Sequence, residues 1–127
     1  MPKKPNKQLT DLELEIMQLI WSLGECTIRE VYESLPKNKD LAYTTVATMV
    51  KILEQKGAVK SQKADRTLKV KPILTRDQYE VASVKHLNKS VFRGNTGSMA
   101  TRLLSTSDLS IDELKSLRKL LDERIES

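Results

Sequence analysis

The 127-residue chain is 39% hydrophobic and 31% charged, a soluble composition with room for one compact domain, or for one small domain and an appended helical element. No apolar run reaches the roughly 18 residues of a transmembrane helix, and the basic start MPKKPNKQ is not followed by the hydrophobic stretch of a secretory signal, so a cytoplasmic protein without membrane insertion is expected. One cysteine, Cys26, and one histidine, His86, exclude an intrachain disulfide and leave a metal cluster or histidine-based triad without its parts; no metal or cofactor is expected.

Helix starts are the clearest local signal. Thr10 with Glu13, Thr27 with Glu30, Thr75 with Gln78 and Ser110 with Glu113 each place a hydroxyl three residues before an acid or amide. In that spacing the hydroxyl accepts a bond from an N–H left without a partner in the first turn, and the longer side chain reaches back to the cap. The first helix is expected over about 10–23, with Leu12, Ile16, Leu19, Ile20 and Leu23 on its apolar face, Trp21 as packing surface beside it, and Gly24 as its end. Cys26 follows in a turn and reads as a small buried apolar residue rather than a redox switch. The second helix is expected over about 27–35, with Ile28, Val31, Tyr32 and Leu35 inward and Pro36 as its stop. The polar loop KNKD leads to a third helix over about 43–56, ended by Gly57.

From Ala58 the period changes. Val59, Leu68 and Val70 alternate with polar residues around the turn-forming KADR, which predicts a short two-stranded hairpin. A fourth helix is expected from Thr75 to about Arg93, with His86 as a half-exposed structural residue, until GNTG breaks it; a shorter helix follows over 98–105. The last helix, about 111–125, carries Ile111, Leu114, Leu117, Leu121 and Ile125 in one stripe. The tail is long for so small a core, so Leu114, Leu117, Leu121 and Ile125 are assigned to a dimer contact. Three short helices with a hairpin directly after the third are the parts of a winged helix-turn-helix. The expected fold is therefore mainly α with a small β-hairpin wing: a DNA-binding domain over 8–74 and a helical dimerisation region over 75–127.

The third helix opens with poor helix formers, YTTVAT. On a wheel of about 100° per residue, Val46, Met49, Val50 and Leu53 fall together as a core face. Thr44, Thr48, Lys51 and Gln55 fall opposite, flanked by Thr45 and Ala47, with no carboxylate before Glu54 at the edge. A short, hydrogen-bonding, mildly basic face suits a major groove: hydroxyls bond phosphates or base edges, and methyls meet the methyl of thymine. Downstream, Lys56, Lys60, Lys63, Arg66, Lys69 and Lys71 stand against one acid, Asp65, so this short segment holds the whole net charge of +5. A basic hairpin beside a groove-shaped helix points to double-stranded DNA. Aromatic residues, at 4%, are too few for a single-strand binder built on stacked rings.

These residues resemble the family of penicillinase and methicillin-resistance repressors, BlaI and MecI, which includes the copper-responsive CopY. The likeness is carried by LTDLELEIMQLIW, TIREVYESL, AYTTVATMVKILEQKG, the wing with Pro72 after it, and the tail SIDELKSLRKLLDE. It implies a homodimeric repressor on a pseudo-palindromic promoter operator, with the tails dimerised and polymerase excluded. It implies groove contacts from Tyr43, Thr44, Thr45, Thr48 and Lys51, and phosphate contacts from Lys63, Arg66 and Lys69. Three departures stand out. The cysteine cluster of the copper branch is missing from the tail. The Asn-Phe dipeptide at which a membrane sensor-protease system inactivates the β-lactam branch aligns with Arg102-Leu103, which leaves such a protease partner open. Ile52 stands where many relatives carry arginine.

The competing reading is a winged-helix adaptor that binds protein and not specific DNA. An adaptor has no need of a groove-shaped threonine face. An enzyme is excluded by the lack of paired catalytic carboxylates, a nucleophile–base pair, a phosphate loop or metal-ligand spacing.

Overall fold

A computed structural model describes residues 8–127; the basic stretch before Gln8 lies outside the described residues. The elements in order are α1 (Asp11–Leu23), β1 (Cys26–Thr27), α2 (Ile28–Ser34), α3 (Tyr43–Gln55), β2 (Val59–Ala64), β3 (Thr67–Pro72), α4 (Arg76–Ser90), α5 (Thr96–Thr106) and α6 (Ile111–Glu126). They divide into two compact units, one up to Lys85 and one over His86–Ser127.

In the first unit all three expected capping boxes form. Thr10, Thr27 and Thr75 each accept from the N–H three residues on, and Glu13, Glu30 and Gln78 bond back. The buried stripe of α1 is Glu13, Ile16, Met17 and Ile20, spaced i, i+3, i+4, i+7. This is rotated from the expected face: Met17 is fully buried and Leu23 is 41% exposed. The stripe includes a carboxylate, which apolar patterning reads as surface. Ile28 and Val31 from α2, and Val46, Val50 and Leu53 from α3, close the core with Val59, Val70 and Leu74.

Gly57 terminates α3 with a φ of 81°. Its N–H bonds the Glu54 carbonyl and the Ala58 N–H bonds that of Leu53, the Schellman pattern that needs a left-handed residue. The Ala58 carbonyl then accepts from Ile73 and Leu74 at 2.8 and 3.0 Å, closing the base of the hairpin. The wing is the antiparallel pair β2–β3, with Asp65 at φ 57° in its turn. Cys26 is not in a turn. Cys26–Thr27 form a third strand paired with Val70 and Lys69, giving the order β1-β3-β2. Burial pushes the Cys26 thiol up, and the nearby Glu30 charge adds to this, so it is an inert core residue.

Trp21 Nε1 donates to the Leu74 carbonyl at 2.8 Å and its ring lies 6.0 Å from Tyr79, tying the hairpin exit and the start of α4 to α1. In the second unit Asn95 caps α5 by accepting from Ser98 N–H, which starts that helix earlier than the spacing alone suggests. Ser110 and Glu113 form the fourth capping box. Met99 is the one buried hydrophobic residue of this unit. Leu114, Leu121 and Ile125 are 43%, 54% and 78% exposed, and Leu117 is half-buried. No described helix is long and apolar enough to cross a membrane.

Candidate nucleic-acid interface

Every other helix among the described residues begins under a side-chain cap; α3 does not. Its N-cap is Ala42, and no side chain reaches the opening N–H groups. Those groups, the positive end of the helix dipole, remain available to an anion. Thr44, Thr48, Lys51 and Gln55 are exposed along the outer face, Thr45 and Ala47 are half-buried at its sides, and Tyr43 is 40% exposed at its start. Thr48 Oγ1 donates to the Thr44 carbonyl at 2.9 Å. With its proton engaged, Thr48 offers outward a methyl group and acceptor lone pairs, the chemistry that meets thymine methyls and the amino groups of adenine or cytosine.

Glu54, the acid at the edge of this face, is turned to the wing: its Oε2 accepts from Ser61 N–H at 3.0 Å. α3 and the wing are thereby joined, and one carboxylate oxygen is engaged by the backbone. Between them lies a cleft lined by Thr48, Lys51, Ser61 and Leu68.

Strand register sorts the wing's basic residues. Lys63 pairs with Leu68 and Ser61 with Val70, so Lys63 and Leu68 share the face that carries Val70 and turns toward the core and α3. Lys69 pairs with Gln62 and Lys60 with Lys71, on the opposite face. Arg66 is at the tip. The α3 threonines, Lys63 and Arg66 thus lie toward one side, while Lys69 joins Lys60 and Lys71 on the other. Lys56 leaves the patch altogether. Its Nζ meets the Glu13 carboxylate at 2.5 Å, and Glu13 is 4% exposed. Burial pushes the Glu13 pKa up, but the Lys56 ammonium and the Thr10 N–H outweigh it and hold the carboxyl below its ordinary value.

One residue outside the sequence reading enters the site. The Arg29 guanidinium from α2 sits over the Tyr43 ring, 5.5 Å from its centroid, and Tyr32 packs edge-on against the same ring at 5.6 Å. A lone arginine in a short helix gives no periodic signal; only the fold brings it to the start of α3. Among the described residues no group of His, Cys, Asp and Glu side chains is arranged to hold a metal.

A profile of the family described as penicillinase repressor matches residues 9–123. The chain belongs to the penicillinase repressor family. Members of this family are transcriptional repressors and not enzymes. The penicillinase repressor of Bacillus licheniformis is 32% identical over 117 residues, covering 91% of each chain. The solution structure of the DNA-binding domain of the repressor BlaI superposes with a TM-score of 0.53 at 32% identity, covering 61% of this chain and 94% of that one. The Bacillus licheniformis BlaI monomeric form in complex with the blaP half-operator gives 0.51 at 32% identity, with the same coverage. The penicillinase repressor fold accounts for the winged helix, and the match extends through the second unit as far as residue 123.

Proposed function

We propose that the protein is a dimeric, sequence-specific repressor that occupies an inverted-repeat operator in a promoter, in the cytoplasm. The observation that carries this is the outer face of α3: uncapped at its start, free of outward carboxylates until Glu54, and joined to a basic wing across a shared cleft. In this reading Tyr43, Thr44, Thr45, Thr48 and Lys51 enter the major groove. Lys63 and Arg66 take phosphates flanking it, and Lys69, on the far face of the wing, contributes through the field rather than by direct contact. The complex of a relative with a half-operator supports the mode of binding.

Dimerisation is supported by the second unit. A unit of about 40 residues with a single buried hydrophobic side chain falls short of a self-sufficient core. Leu103, Leu104, Leu117, Leu120 and Leu121 line an apolar hollow between α5 and α6. A second copy would cover it, with Leu114 and Ile125 at the edge of the same contact, and the molecular two-fold would dictate matched half-sites.

Release by a membrane sensor-protease at Arg102–Leu103 would require α5 to open first. That bond lies inside the helix, and the Arg102 carbonyl accepts from Thr106 Oγ1 at 2.6 Å and Ser105 Oγ at 3.2 Å.

The test is fluorescence anisotropy with the promoter of the protein's own gene and a shuffled duplex of equal length, at two salt concentrations. Tight, promoter-selective binding is expected. Equal binding to both would remove the sequence-specific part of the reading; no binding at low salt would move the adaptor reading to first place.

A further inference from the structure

We propose that Arg29 is a phosphate-binding arm of the interface, pre-positioned by the Tyr43 ring and acting as the counterpart of Arg66. The inference rests on the DNA-binding reading of α3 and adds to it a contact from α2. Arg29, Tyr43 and Arg66 line one hollow between the starts of α2 and α3 and the tip of the wing, and no carboxylate is among the residues lining it. Arg29 is exposed and, among the described residues, takes part in no ion pair. The neighbouring Glu30 is turned to the Thr27 N–H through Oε1 and makes no ion pair with Arg29.

The physical argument has two parts. A free arginine loses much rotamer freedom when it grips a phosphate, and stacking on a ring removes part of that freedom in advance. The ring is itself braced, because Tyr32 meets it at 72°. A guanidinium held over a ring face makes no hydrogen bond to it, and its N–H groups can fork onto two phosphate oxygens. The second part is charge. Two guanidinium groups lining one hollow with no carboxylate among its lining residues make it attractive to an anion. A phosphodiester strand passing the uncapped start of α3 is such an anion.

The test uses the full chain, the own-promoter duplex and the shuffled duplex, over a salt series. Arg29→Gln, which retains helix propensity and a polar end but removes the charge, is expected to weaken binding to both duplexes about tenfold and to lower the slope of log K against log salt by about one. Arg29→Lys is expected to restore the slope but only part of the affinity, since an ammonium neither stacks nor forks. If Arg29→Gln leaves affinity and slope unchanged while Thr48→Ala and Arg66→Ala weaken binding, the Arg29 assignment fails and the DNA-binding reading stands. A loss of thermal stability and affinity without a change in slope would make Arg29 a packing residue and also overturn the proposal. Failure of the unaltered protein to bind either duplex would sink both.

Discussion

Thr48 shows how a single side chain divides its chemistry. Its proton is held by the Thr44 carbonyl, so it contributes a methyl and an acceptor to the outer face. Thr48→Ala is expected to cost about 1–3 kcal/mol on the operator and little on a shuffled duplex, as measured by competition anisotropy; equal losses on both would remove it from base reading. Glu13 and Lys56 matter at the same scale for stability. Replacing Lys56 by methionine leaves a buried carboxylate without its cation, and urea unfolding at neutral pH is expected to show a loss of about 3 kcal/mol. The folded-state pKa of Glu13 lies below its unfolded value, so the unfolded chain binds the proton more readily. The stabilisation is therefore present above the ordinary carboxylate range, about pH 4.3, and is lost as pH falls below it. Between pH 6 and pH 3.5, Glu13→Gln is expected to lose less stability than the unaltered protein; parallel losses would contradict the pairing.

Among the elements, α3 and the wing depend on one backbone position. Gly57 at φ 81° makes the Schellman turn that starts the hairpin at Val59. Gly57→Ala is expected to lower stability by about 1–2 kcal/mol in denaturant titrations with an unchanged m-value, because alanine resists the left-handed region. This junction was legible in the sequence, since a glycine just past an amphipathic helix has few other readings. The capping boxes were legible for the same reason: each is a short-range pattern with its own hydrogen-bond logic. β1 was not. Two residues are too few to show alternation, and Cys26–Thr27 become a strand only because Val70 and Lys69 are brought beside them. Nor was Lys56 separable from the other lysines, because a charge count ignores the helical turn that aims it at Glu13. Arg29 was hidden likewise, its partner Tyr43 lying beyond an intervening loop.

For the whole molecule the decisive surface is the apolar hollow of α5 and α6. Replacing both Leu117 and Leu121 by glutamate is expected to convert a dimer to a monomer in sedimentation equilibrium and to weaken operator binding by at least tenfold, since two half-sites no longer act together. A persistent dimer would move the contact elsewhere. The bare start of α3 has a bearing on the whole assembly too. A helix whose first amides have no protein partner is finished by whatever anion arrives there. In the free protein the Tyr43 and Thr44 amides should exchange with deuterium almost as quickly as in an unfolded chain, while those of Val50 and Leu53 persist. Once phosphate closes the helix, the fast pair should slow, so that this open first turn reports directly on whether the promoter is occupied.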